Sequence, residues 1–329
     1  MDDQLDLLPP GAFLARDAAR AGVDDGALRR AVRAGLLVRP RTGVYVRADQ
    51  WGGAGPEARH LLVVQAVARQ LDHPVFSHES AAVLWGLPPV GTADAVHVLG
   101  PVTSTGAHRG TGTRAGLVRH AARAGVPITS RSGLRVTAAA ETLVSLARAR
   151  DLVRAVPVVD HALRAGLATR EDLWAALADH AGGPGARRAA LAVSLGDGAS
   201  ESVGESVSRV RIHLDGLEPP ALQVRLAHRG DVVARVDFWW EAARVVGEFD
   251  GRKKYRVDGV PDGRAVEDRV WAEKQREDRL RDLGVRVVRW TWSDVRAPGV
   301  LARRLVAAGI RPTLSGAACA DRRRVGRKA

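Results

Sequence analysis

Cys319 is the only cysteine in 329 residues. A lone thiol excludes a disulfide framework and every zinc site built on cysteines. Apolar runs stop well short of the roughly 18–20 residues that span a bilayer, so no membrane helix is expected. The N-terminal Met-Asp-Asp-Gln-Leu-Asp lacks the apolar stretch of a secretory signal, and a cytoplasmic location is the expectation. Aromatics are sparse at 4%, and Asp plus Glu number 37 against 50 Lys plus Arg. The net charge of +13 and a pI near 11.1 favour an acidic partner, nucleic acid being the commonest.

What is present is a globular composition, 46% hydrophobic and 26% charged, long enough for two or three domains with cores of their own. Glycine clusters at Gly182-Gly-Pro-Gly185 and Gly196-Asp-Gly198 punctuate the chain, and the second is the preferred boundary. Beyond it lie Trp239, Trp240, Trp271, Trp290 and Trp292, five of the eight tryptophans, which marks a well-packed core. The expected architecture is α+β and multidomain. A winged helix-turn-helix occupies 1–50, a mainly helical middle 51–195 and an α/β domain 196–310, with a basic, disordered tail at 311–329.

The N-terminal segment reads as helix (Phe13 to Ala21), turn at Gly22, helix (Ala27 to Ala34) and a hairpin around Arg41 to Gly43. From Gly26 to Ala48 there is no acidic residue. Arg29, Arg30 and Arg33 fall on the second helix, where a recognition helix meets the major groove, and Arg39 and Arg41 on the wing. Ala21-Gly-Val, Leu28-Arg-Arg, Gly35-Leu-Leu-Val and Gly43-Val-Tyr-Val resemble the winged helix of AbiEi-family antitoxins. That resemblance implies sequence-specific DNA binding, usually at the module's own promoter, and a cognate toxin as a further partner.

The middle carries little sharp chemistry. Glu57 to Leu71 and His78 to Pro88 read as helices and Ala95 to Leu99 as a strand. The Gly/Thr/Pro stretch from Gly100 to Gly116 lacks dinucleotide-binding spacing and reads as a surface loop. His78 beside Glu79 reads as a helix-start pair satisfied locally.

The last third carries carboxylates on strands. Glu248 and Asp250 share one face of a strand, since side chains alternate. A hairpin with the preceding strand brings Asp237 towards them. Like charges gathered among apolar neighbours repel, and a divalent cation relieves this. The basic cluster Arg252-Lys253-Lys254 follows, placing cations for a phosphate beside carboxylates for a metal, the layout of metal-assisted phosphodiester hydrolysis.

The element order helix, three strands, helix (Val266 to Asp282), strand, helix (Ser293 to Ala307) matches the PD-(D/E)XK restriction-endonuclease-like core. Glu205-Ser, Val236-Asp-Phe, Gly247-Glu-Phe-Asp-Gly-Arg-Lys-Lys-Tyr and the run from Trp271 to Trp290 resemble the branch of that superfamily that holds the very-short-patch repair endonucleases. The resemblance implies a Mg²⁺-dependent DNA endonuclease in defence or repair, with Asp237 and Glu248 as metal ligands and Glu205 as the first-helix acid. The superfamily's lysine two residues after the glutamate is replaced by Asp250. Either Asp250 is a further ligand and Lys254, or Lys274, supplies the cation, or the site is degenerate. The alternative function is therefore an antitoxin-type transcriptional regulator whose nuclease-like domain is inactive. Ser202-Val-Gly-Glu205 also reads as a capping box, a structural role for Glu205.

Overall fold

A computed structural model describes residues 8–89, 91, 95–100, 112–114, 116–228, 231–251, 271, 279, 280 and 282–313. The chain divides into two compact units, Met1–Val158 with Gly166–Val193, and Val159–Ala165 with Ser194–Ala329. The protein is a mixed α+β chain with a small N-terminal helix-and-sheet region, a middle in which helices accompany a six-stranded sheet that the sequence reading did not expect, and a C-terminal sheet. No helix among the described residues is long and apolar enough to cross a membrane.

In the first unit, strand β1 (Phe13–Leu14) precedes helices α1 (Ala15–Arg20) and α2 (Asp25–Arg33) and the hairpin β2 (Leu37–Arg41) and β3 (Val44–Arg47). The sheet order is β1-β3-β2. The first helix starts later than the sequence suggests, because Phe13 and Leu14 pair with Tyr45 and Val44 instead. Asp17 closes that start by accepting the Leu14 N–H at 2.9 Å. Asp24 caps α2, accepting the Ala27 N–H at 2.6 Å. Leu28 and Ala31 turn inward and join Phe13, Val23, Leu37 and Tyr45 in one core. Gly43, at φ +74°, makes the tight turn of the hairpin.

The middle then runs through α3 (Ala48–Gly53), α4 (Pro56–Gln70), β4 (Val75–Phe76), α5 (His78–Leu84), β5 (Val96–Leu99), β6 (Gly112–Arg114), β7 (Leu117–His120), β8 (Ile128–Arg131), β9 (Leu134–Thr137), α6 (Ala139–Ala149), α7 (Leu152–Arg164), α8 (Arg170–Ala178) and α9 (Ala186–Leu195). Strands β4 to β9 form a six-stranded sheet of order β6-β7-β5-β4-β9-β8. Sequence patterning anticipates only β5, since strands of two to four residues hold too few alternations to register. Val64 and Val67 of α4 pack with Phe76, Val96, Val98 and Val136 of this sheet. Glu79 is not satisfied locally. It is buried, pairs with Arg150 and lies 3.4 Å from His97 Nε2. Residues 101–111 and 115 of the expected surface loop lie outside the described residues.

The second unit is built on α10 (Val203–Leu214) and the strands β10 (Ala221–His228), β11 (Asp231–Trp240), β12 (Val245–Asp250) and β13 (Arg286–Thr291), in that sheet order. The first two pairings are antiparallel and β12–β13 is parallel. A parallel neighbour requires a crossover connection. The long charged helix expected there falls mostly outside the described residues, as do Lys253, Lys254, Tyr255, Lys274 and residues 314–329 of the tail. The closing helix is two helices, α11 (Trp292–Arg296) and α12 (Val300–Ala307). Pro298 forces the break, because the residue before a proline avoids the α region and Ala297 sits at ψ 121°.

Trp240, Trp290 and Phe238 are fully buried at the centre of this unit, while Trp271 is 61% exposed. Each buried indole N–H has a partner at 2.8 Å, the Glu218 carbonyl for Trp240 and Ser208 Oγ for Trp290. Asp160 is also fully buried. It accepts a bond from Arg209 Nη2 at 2.7 Å and from the Asp197 N–H at 2.7 Å.

Two stability effects follow. A Cβ at Gly247 would stand 2.5 Å from Trp290 and 2.9 Å from Trp240. Gly247→Ala is expected to cost about 1–3 kcal/mol by overpacking, read as a lowered denaturation midpoint with unchanged slope. Arg209→Met leaves Asp160 buried without its cation and is expected to cost about 3–5 kcal/mol in the same measurement. A loss under about 1 kcal/mol for Arg209→Met would refute the claim that this pair supports the unit.

Candidate nucleic-acid interface and carboxylate site

Arg29, Arg30 and Arg33 are exposed on α2, opposite the face that buries Leu28 and Ala31. The helix thus presents guanidinium groups outward while its apolar face fixes it to the core. Arg39 is exposed on β2, with its guanidinium 5.8 Å from the Tyr45 ring centroid. That contact steadies a long side chain without neutralising it. Arg41 differs from these. It is half-buried, and its Nε and Nη1 atoms find no hydrogen-bond partner. Burial and then Arg119 pull its pKa below the usual arginine value. Arg16, Arg41 and Arg119 line one recess of about 630 Å³ with Gln70 and Leu117.

Each of the expected carboxylates of the second unit has a definite place. Glu205 is buried at the third position of α10, where Ser202 caps the helix start, but the expected capping box is incomplete: the Glu205 side chain takes the Glu201 N–H rather than that of Ser202. Ser202 Oγ accepts the Glu205 N–H at 3.2 Å and donates to Glu205 Oε1 at 2.7 Å. Glu205 Oε2 accepts the Glu201 N–H and Gln223 Nε2, each at 2.9 Å. Three donors on one carboxylate fix its orientation.

Gln223 is a residue the sequence reading missed. Its neighbours pair as Leu222↔Phe238 and Val224↔Val236, which sets Gln223 across from Asp237. Its φ of +50° is a left-handed conformation inside a strand, held by the flanking pairs. Nothing in Leu-Gln-Val-Arg-Leu signals it beyond one amide among apolar residues.

Pairing of β11 with β12 ends at Phe238↔Gly247. One step further, Asp237 Oδ2 accepts the Phe249 N–H at 3.1 Å, so the carboxylate replaces the missing ladder bond. By the same register Asp237 and Glu248 oppose each other and share a face. Glu248 is largely buried, and Arg289 of β13 donates to its Oε2 at 3.1 Å. Asp250 is exposed at the end of β12. Two facing carboxylates are a donor set that Mg²⁺ takes, with waters completing its octahedron. Among the described residues, no three carboxylates bring ligand atoms within 4.8 Å of one another. Arg289, also missed by the sequence reading, already neutralises Glu248.

Comparison with known proteins bears on both units. The family model described as "Transcriptional regulator, AbiEi antitoxin" matches residues 9–48, the region of α1, α2 and the hairpin. The N-terminal region is therefore similar to that of AbiEi-type regulators. A crystal structure of the RV2827C protein from Mycobacterium tuberculosis is 22% identical over 56% of this chain and 72% of that one, at a TM-score of 0.34. The Mycobacterium tuberculosis proteins "Uncharacterized protein Rv2248" (strain H37Rv) and "Uncharacterized protein MT2308" (strain CDC 1551) are each 31% identical over 275 residues, 83% of this chain and 93% of theirs. With that identity over nearly the whole relative, the chain belongs to the family of these two mycobacterial proteins.

Proposed function

We propose that this protein is a DNA-binding transcriptional regulator of the antitoxin type, with a C-terminal nuclease-like unit that binds without cutting. The observation that carries the reading is the outward row Arg29, Arg30 and Arg33 on a capped helix whose other face is core. Helix, turn, helix and hairpin form a winged helix-turn-helix, in which α2 enters the major groove and Arg39 and Arg41 follow the backbone. The AbiEi-type match over residues 9–48 supports the same role. A cognate toxin is the protein partner this reading implies.

The inactive state of the second unit rests on three features. Asp250 stands where the nuclease superfamily keeps a lysine. Arg289 occupies Glu248. Glu205 is committed to its own helix start.

Endonuclease activity is the second reading. The opposed Asp237 and Glu248 favour it. Bound there, Mg²⁺ would lower the pKa of a water and neutralise charge on a phosphate. Asp237 and Glu248 would hold the ion, and Lys254 or Asp250 would complete the site.

The regulator reading is tested by fluorescence anisotropy on the chain's own upstream DNA across a salt series. Arg29→Ala, Arg30→Ala and Arg33→Ala are each expected to weaken binding. A lost base contact costs about 1–3 kcal/mol of specificity, and a lost phosphate contact lowers the salt slope by about 1. A triple variant that matches the wild type in affinity and slope removes α2 as the recognition helix.

The two readings separate on plasmid and single-stranded DNA with Mg²⁺ or Mn²⁺. The regulator reading expects both substrates to survive intact. Cleavage by the wild type that disappears in Asp237→Ala and Glu248→Ala would establish the nuclease instead.

A further inference from the structure

Outside both sites, three imidazoles converge in the first unit. His78 opens α5, His97 lies on β5 and His120 ends β7. One ring nitrogen from each lies within 4.8 Å of one from each of the others. No other group of three or more His, Cys, Asp or Glu side chains meets this criterion among the described residues. We propose that His78, His97 and His120 form a binding site for one divalent transition-metal ion, with Zn²⁺ as the fitting case.

The remaining ring nitrogens support this reading. Ligating histidines normally hold their second nitrogen on a carboxylate, a carbonyl or another outer partner, which fixes ring and tautomer. His78 Nδ1 lies 3.2 Å from Ser77 Oγ, which leaves Nε2. His97 Nε2 lies 3.4 Å from the Glu79 carboxylate, which leaves Nδ1. That Nδ1 faces His120 Nε2 at 2.8 Å, so two potential ligands share a single proton. Ligands at Zn–N distances of 2.0–2.1 Å around a tetrahedron stand about 3.4 Å apart, a small opening of this pair. His78 stacks on His120 with ring centroids 3.6 Å apart, so its ring must turn out of the stack about its side-chain torsions to aim a nitrogen at the same ion.

The backbone is arranged around these rings. His78 sits at φ +48°, a conformation unusual for a residue with a Cβ. The Ser77 N–H donates to the His97 carbonyl at 3.1 Å, and Ser80 Oγ accepts the His97 N–H at 2.8 Å. These bonds lock the start of α5 to β5. Nearby cations are already engaged. Arg150 Nε donates to Glu79 at 2.6 Å, and Arg148 Nη1 meets His180 Nδ1 at 2.6 Å, with His180 held in turn by Glu141. Three nitrogens leave a fourth position for water or an outside ligand.

The test uses the full, tag-free chain, stripped with EDTA, with Zn²⁺ alone as titrant in calorimetry and Co²⁺ as an optical probe. The chain has 10 histidines, so position must decide. One Zn²⁺ per chain is expected, with a visible Co²⁺ spectrum of tetrahedral type and no thiolate charge-transfer band. His97→Ala and His120→Ala should lose binding by more than the factor of about 10–100 expected for the outer partner in Glu79→Gln. His73→Ala, on an exposed histidine, should bind as the wild type does. Circular dichroism in EDTA checks that each variant folds. Should a variant not fold, the wild-type Co²⁺ spectrum decides. Absence of stoichiometric Zn²⁺ binding, a spectrum that is octahedral or thiolate-bound, or unchanged binding in folded His97→Ala and His120→Ala each overturns the site.

Discussion

The second unit depends on a charge that water does not reach. Asp160 is fully buried, and a bare carboxylate there would be costly. Burial raises its pKa, while Arg209 and the Asp197 N–H oppose that rise. Arg209 also donates to the Leu195 carbonyl and to Ser200 Oγ, at 3.0 and 3.2 Å. One guanidinium therefore binds the Val159–Ala165 segment, the turn at 195–200 and α10 together. Ser202 and Glu205 follow directly on that turn, so the start of α10 inherits its position from this network. Breaking such a pair is costly even though forming it gains little over apolar packing.

From α10 the constraint passes into the sheet. Glu205 takes the amide of Gln223, and Gln223 accepts a left-handed backbone within β10 to reach it. Asp237 lies across from Gln223 and holds the Phe249 N–H where β11 and β12 stop pairing. Glu205 and Gln223 are thus bonded to each other, and Asp237 is held separately by the Phe249 N–H. Beneath it, Gly247 lets Trp240 and Trp290 close over β12, because any side chain there would strike both rings. Site and core are fitted to the same strand from opposite sides.

Much of this was legible in the sequence wherever a local rule acts. The cap at Asp24, the glycine turn of the hairpin and the cap at Ser202 depend on residues a few positions apart, and propensity registers them. Strands β10 to β13 are long enough for alternation to show. The six-stranded sheet was not legible, because its strands are short and pair across long separations. Gln223, Arg289 and the partners of Glu79 were missed for a related reason. Their roles are set by side chains between 18 and 71 residues away. His78, His97 and His120 are likewise ordinary histidines until the sheet places their strands side by side. The PD-(D/E)XK order and the three-part division of the chain rest on resemblance and composition, and the pairing of four strands is the part of that order described in the structure.

The choice between a regulator and a nuclease narrows to one carboxylate. Glu248 is largely buried, and its charge must be balanced by something nearby. Arg289, on the neighbouring parallel strand, provides that balance with a bond of 3.1 Å. A divalent ion would provide the same balance, and beside the guanidinium it would meet repulsion from a like charge. With Arg289 in place, Asp237 faces a neutralised partner, and the electrostatic demand for a cation that three free carboxylates would create is much reduced. Arg289 thereby ties β13 to β12 through Glu248, while α2 keeps Arg29, Arg30 and Arg33 turned outward.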